Sequence, residues 1–201
     1  MKRINVIGNG DYAFLFNKDE KKSGLNLICN MPPFAIRDVY ATVMVDFKMM
    51  SALTEGSLQL NMYKWVLGNR PKKWMELKPA FYMKYAQNVR EFYLNVPEYA
   101  GNATNFNCGH MAVHYACSRL EPTEIHMYGF DSLFDANVNS VTDLFLMSDR
   151  SQNNNFRLIE TWRPIWQGIF KEFPNVNFVL HHKHDHLKFD VPENVSIEIG
   201  A

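Results

Sequence analysis

The densest run of titratable side chains in the sequence is His181-His182-Lys183-His184-Asp185-His186. Histidine exchanges protons near neutral pH and ligates metals, so the run is either a solvated turn or the source of a catalytic base, His182 first and His184 in its place. Gly8-Asn9-Gly10 lets the backbone approach a phosphate or sugar, because glycine has no Cβ. It is not a full GxGxxG fingerprint: Ala13 stands at the last position, and Asp11 puts a negative charge where a pyrophosphate would come. Asn30 carries a donor and an acceptor on one group, as reading a pyrimidine edge or a ribose requires. Asn9 and Asn30 are both expected as exposed loop carboxamides. Cys108-Gly109-His110 opens a helix, and the free N–H groups there favour an anion; the plain alternative is a helix merely capped by Asn107 or Thr104. His110 and His114 share a helix face, but Met111 stands where HExxH has its glutamate, so no zinc protease is indicated. Arg150 supplies a cation that could clamp a phosphate or sit in a surface ion pair.

These residues need elements to position them. Short apolar runs at 4–7, 25–29, 40–45, 62–67, 125–128 and 176–180 each stop at a polar residue or a glycine, which reads as buried parallel strands leaving into loops. A weaker run at 92–96 is a further candidate strand. Helices are expected over 47–55, over 72–87 with a break at Pro79, over 108–120 and over 156–172, while 133–155 reads as loop. Alternating strands and helices predict a single α/β domain over 1–201, a doubly wound and mostly parallel sheet with 132–155 as a short lid. In such sheets ligands sit beyond the carboxyl ends of the strands. Asn9, Asn30, Asp46, Asp131 and His182 are therefore expected along one rim.

Composition narrows the partners. Among 201 residues, 21 basic side chains balance 21 acidic ones, which excludes the broad basic surface of a protein that grips a nucleic-acid backbone. Three cysteines without CxxC spacing give neither a disulfide framework nor a zinc ribbon, and read as reduced thiols. The apolar run before Gly8 is too short for a signal peptide, and no later stretch reaches bilayer length, so a cytoplasmic protein without a membrane span is expected.

Three segments together resemble a known family. VIGNG at 6–10, ICN at 28–30 and NCGHMAVHYACSRLEPTEIHMYGFDS at 107–132 are similar to the bacterial sialyltransferases of glycosyltransferase family 42. In that family a Ser-Gly opens an alanine-rich helix and a strand ends in Gly-x-Asp; Cys108-Gly109 and Gly129-Phe130-Asp131 stand in those places. The outline, with Asp46 ending the third strand, is also similar to archaeal pterin diphosphokinases and related flagellin-modifying enzymes; both groups share a Rossmann-like nucleotide-binding core. The first resemblance implies a CMP-sugar donor and no cofactor. Gly8, Asn9 and Gly10 would lie near phosphate and sugar, Asn30 near the nucleotide, and Cys108, Gly109 and His110 against the nucleotide or its phosphate. The second implies a diphosphotransferase whose Mg²⁺ is held by Asp46 and Asp131. A third class is a nucleotide-binding protein without catalysis. The sialyltransferase lid carries phosphate-binding tyrosines and a general-base histidine, whereas 132–155 here holds neither residue type and has Gln152 to Asn155 at the place of the base. Hence the assignment of the base to His182 or His184.

Overall fold

A computed structural model describes residues 2–135, 138–146 and 156–200, and for 156–159 the backbone alone. Eight strands, β1 (Arg3–Ile7), β2 (Leu25–Cys29), β3 (Val39–Met44), β4 (Trp65–Leu67), β5 (Val89–Phe92), β6 (Glu124–Tyr128), β7 (Asn177–His182) and β8 (Val195–Ile199), form one sheet in the order β5-β4-β3-β2-β1-β6-β7-β8. Every pairing is parallel. Flanking helices on both faces give a Rossmann-like α/β architecture. The central strands are mostly apolar because both of their faces are covered, with Asn5, Asn26 and His126 as polar exceptions.

One face of the sheet packs Ile4, Val6, Leu27, Val43, Ile125 and Phe178 against α5 (Cys108–Tyr115) and α7 (Phe156–Glu172). Val113, Ala116, Ile165 and Ile169 project into that layer. The opposite face divides. Toward β5 it packs Met44, Trp65 and Leu67 against α2 (Phe47–Glu55), α3 (Asn69–Leu77) and α4 (Pro79–Tyr85). Around β1 it packs Ile7, Ile28 and Tyr128 against Ala13 and against Leu15 and Phe16 of α1 (Leu15–Lys18). Pro79 separates α3 from α4, as its missing N–H requires. A π-helical turn, Ala116–Leu120, continues α5.

Three elements depart from the sequence reading. The fifth strand is Val89–Phe92, not 92–96: it lies at an edge, where Arg90 stacks over the Tyr40 ring at 4.1 Å and Glu91 pairs with Arg119 at 2.8 Å, so it carries no apolar run. β8, whose Val-Ser-Ile-Glu-Ile alternation suits a half-covered edge strand, has no counterpart in that reading. Within 133–155, expected as loop, Val141–Phe145 forms α6, with the Ser140 hydroxyl accepting from the Asp143 N–H. Residues 147–155, and with them Arg150, lie outside the described residues. No helix among the described residues is long and apolar enough to cross a membrane.

Candidate functional site

The strand order reverses between β1 and β6: the chain leaves β1 toward β2 and leaves β6 toward β7. The two outgoing loops diverge there, which opens a crevice at the carboxyl ends. A cavity of about 590 Å³ occupies it. That volume suits a ligand of nucleotide size. Gly8, Asn9, Gly10, Asn30, Asp46, Cys108, Gly109 and Asp131 all contribute to its wall. Residues 138–146 close it from above, through Asn139, Thr142 and Leu146, and Phe106, Phe130, Trp162 and Trp166 supply aromatic surface. Among the described residues, Lys48 and Arg70 are its basic lining, with Arg70 held 3.2 Å from the Asp46 carboxylate.

Two glycines set the width of the crevice. The Gly10 N–H donates to the Gly129 carbonyl at 3.0 Å, and a Cβ on Gly10 would come within 2.6 Å of both that oxygen and Asp131 Oδ2. At Gly109 a Cβ would meet the Phe130 ring at 2.7 Å. A larger residue at either place would push the loop after β1, or the start of α5, away from the loop after β6.

The two asparagines differ. Asn9 is 9% exposed, and its carboxamide is held inside the protein: Nδ2 donates to the Cys29 carbonyl at 2.6 Å, and Oδ1 accepts from the Thr142 hydroxyl at 2.7 Å. The expected exposed carboxamide is thus a buried brace tying β1, β2 and α6 together. Asn30 sits in the left-handed region at φ 58°, and its side-chain oxygen is buried without a hydrogen-bond partner. A buried acceptor left bare costs on the order of 1–3 kcal/mol, so one beside a cavity marks where a ligand donor fits.

At the start of α5, Asn107 Oδ1 accepts the His110 N–H at 2.9 Å, and His110 Nδ1 accepts the Asn107 N–H at 3.1 Å. This reciprocal capping box leaves the amides of Cys108 and Gly109, in the first turn, without intrahelical partners beside the cavity. His110 itself is fully buried against Phe106 and Trp166 and lies outside the cavity wall. Burial holds its pKa down to about 3. His114 turns elsewhere, to the Tyr93 hydroxyl at 2.6 Å and to Glu172. Cys108 is buried, its thiol donating to the Val43 carbonyl at 2.7 Å, and desolvation pushes its pKa well up, so it is no nucleophile at neutral pH.

His182 and His184 are not in the cavity wall. His182 is the last residue of β7 and is fully buried, stacked on Phe134 with ring centroids 4.0 Å apart. Its Nε2 lies 3.0 Å from Asp135 Oδ2, and His184 Nε2 lies 2.9 Å from Asp135 Oδ1. His182 Nδ1 lies 3.6 Å from Asp131 Oδ1, and neither atom has a hydrogen-bond partner. The two histidines therefore reach the cavity only through Asp131. That carboxyl is 4% exposed; desolvation, aided by the charges of Asp11 and Asp135, lifts its pKa to about 7, against the pull of the Tyr12 N–H. Asp135, although partly desolvated, is held low by His184 and His182 and stays ionised. Burial lowers the pKa of His182. The tautomer follows: His182 donates Nε2–H to the Asp135 carboxylate and turns its Nδ1 lone pair toward the Asp131 carboxyl.

No family model, curated protein or solved structure matches this chain. The site is accordingly read from its own chemistry. Sequence reasoning named Asp131 and expected His182 and His184 at the rim, whereas the structure sets both histidines behind Asp131, and it passed over Asp135, one helical turn further on. It also passed over Thr142 and Trp162, which nothing but tertiary contact links to the glycine turn.

Proposed function

We propose that this chain transfers a group from a nucleotide-activated donor, a nucleotide sugar, to an acceptor hydroxyl, with Asp131 as the base. The observation that carries the reading is a buried carboxyl in the cavity wall that titrates near neutrality, with a histidine behind it. In an inverting displacement the acceptor oxygen attacks the sugar carbon, its proton passes to Asp131, and the bond to the nucleotide phosphate breaks with the electron pair staying on the phosphate. Charge growing there is met by the Cys108 and Gly109 amides with the positive end of α5, and by Lys48 and Arg70. Asn30 Oδ1 is a bare acceptor for a base amino group or a ribose hydroxyl, and the aromatic lining suits a flat ring. The resemblance of the segments at 6–10, 28–30 and 107–132 to sialyltransferases supports CMP as the nucleotide. Three unpaired cysteines, all buried, suit a cytoplasmic setting.

The residues fit the magnesium of a diphosphotransferase less well. Asp46 is engaged by Arg70, and Asp131 lies in a desolvated setting that favours its neutral form, whereas Mg²⁺ seeks ionised oxygen ligands. Calorimetry with CMP and other nucleotides, followed by turnover of a CMP-sugar in the wild type and in Asp131→Asn, tests the proposal. Binding in both with turnover only in the wild type is expected. Binding without turnover in either would leave a non-catalytic nucleotide-binding protein, and turnover that depends on Mg²⁺ and a nucleoside triphosphate would favour the diphosphotransferase.

A further inference from the structure

Successive side chains of a strand point to opposite faces, so His181 projects away from His182. The face it joins, opposite α5 and α7, is polar toward β8, where Glu124, His126, His181, Ser196 and Glu198 replace apolar residues. His126 and His181 are both buried there, with His126 Nδ1 2.8 Å from His181 Nε2. Asp19, at the end of α1, completes the group: its carboxylate and the two imidazoles each offer an atom within 4.8 Å of the others.

We propose that Asp19, His126 and His181 bind one divalent transition-metal ion of the zinc class. The ring nitrogens that face away from the group are already directed at carboxylates. His126 Nε2 bonds Glu124, and His181 Nδ1 lies 3.6 Å from Glu198 Oε2. Such outer carboxylates orient ligating imidazoles and raise their basicity. Without an ion, His181 donates Nε2–H to His126 Nδ1; with one, that proton moves to Nδ1, where the exposed Glu198 side chain closes on it. Both inner lone pairs then meet the metal and no proton is lost. The Tyr128 ring, stacked on His181 at 4.1 Å, holds the imidazole plane.

Charge points the same way. Three carboxylates, Asp19, Glu124 and Glu198, lie about the two imidazoles, and of these Asp19 pairs with the Arg3 guanidinium at 3.0 Å. Asp19 also accepts from Tyr128 Oη at 2.6 Å and from the Lys21 N–H at 2.9 Å, which leaves one of its four acceptor positions for an ion. Two imidazoles and one carboxylate suit zinc or cobalt over magnesium or calcium, with water completing the shell. The second histidine cluster lacks this property. The His186 N–H donates to His184 Nδ1 at 3.1 Å, so His184 Nε2 carries a proton and gives it to Asp135, leaving no lone pair on that side.

The untagged full chain, stripped with chelator, is titrated with Zn²⁺ by calorimetry and with Co²⁺ by visible absorption. One equivalent is expected, with a cobalt band of low-coordinate nitrogen and oxygen ligation and a raised melting temperature. His181→Asn should weaken zinc by a hundredfold or more. Glu198→Gln, at an exposed residue that does not endanger folding, should weaken it roughly tenfold to a hundredfold. His184→Asn should leave it unchanged. Absence of stoichiometric binding, or affinity that survives both His181→Asn and Glu198→Gln, overturns the proposal. So does affinity lost in His184→Asn alone, which would place the ion at the other cluster.

Discussion

Asp131 Oδ1 and His182 Nδ1 face each other across 3.6 Å, and neither atom has another partner. One proton between them satisfies both. Desolvation raises the carboxyl to about 7 and lowers the imidazole, so a proton held here near neutrality sits on Asp131, with a neutral His182 behind it.

Asp131→Asn keeps the shape and satisfies both orphans, because the amide can accept the Tyr12 N–H and donate to His182 Nδ1. Turnover of the nucleotide donor should fall by roughly two to four orders of magnitude, while nucleotide affinity stays within a few fold. Stability should move the other way. A folded pKa near 7 against an unfolded 3.8 means that the unfolded chain gives up this proton first as pH rises, so the Asp131 contribution is lost between pH 4 and pH 7. Above pH 7 the asparagine variant should be the more stable, by at most roughly 4 kcal/mol. Chemical denaturation at pH 5 and pH 8 measures the difference; the same difference at both would show that Asp131 ionises as an ordinary carboxylate.

Asp135→Asn removes a negative charge that raises the Asp131 pKa and unties His182 and His184. The rising limb of the activity profile, set by loss of the Asp131 proton, should therefore shift to lower pH, with a smaller fall in kcat than in Asp131→Asn. A limb that stays near pH 7 would separate Asp135 from the base.

Asn30→Gly suits the left-handed backbone at φ 58° and deletes the bare acceptor. Nucleotide affinity should drop on the order of tenfold, the worth of one hydrogen bond, without loss of stability. Asn9→Ala should instead destabilise the fold by about 1–3 kcal/mol, because the Cys29 carbonyl and the Thr142 hydroxyl lose their partner. Calorimetry and urea titration on the two variants should give opposite patterns.

His110→Gln tests the buried cap. Glutamine at the third helical position can keep the reciprocal bond to the Asn107 N–H, so the helix start survives. With a folded pKa of about 3 against an unfolded 6.5, His110 loses stability progressively as pH falls below 6.5, since only the unfolded chain takes up the proton there. The variant should show a flatter decline in stability between pH 6.5 and pH 3, and the loss of the stack on Phe106 and of the tilted contact with Trp166 should lower its stability at pH 8.

The rim was legible because each central strand announces its own end: Ile7 into Gly8, Cys29 into Asn30, Tyr128 into Gly129. Covered on both faces, such strands are mostly apolar in their last residues, and a glycine or asparagine directly after them marks the exit. The edges carry no such mark, which is why Val89–Phe92 was displaced and Val195–Ile199 overlooked. Side-chain direction was less legible than backbone position. The reading placed His181 and His182 in one turn, whereas the strand sends them to opposite faces, one toward His126 and the other toward Asp135. Nor does spacing reveal that Asn9 is consumed by Cys29 and Thr142, since those contacts join three separate stretches of chain.

The strand order also governs how the chain is built. Of the eight strands of the sheet, β1 leaves the ribosome before the others, and it pairs on one side with β2 and on the other with β6. Strands β2 to β5 extend the sheet outward as they emerge, but the second edge of β1 stands open until residues 124–128 have been synthesised. Until then the nascent sheet exposes a hydrogen-bonding edge to neighbouring chains. The later half carries the remedy, since the arrival of β6 both seals that edge and delivers Asp131. A growing chain therefore acquires Asp131 with the same segment that closes the open edge of β1.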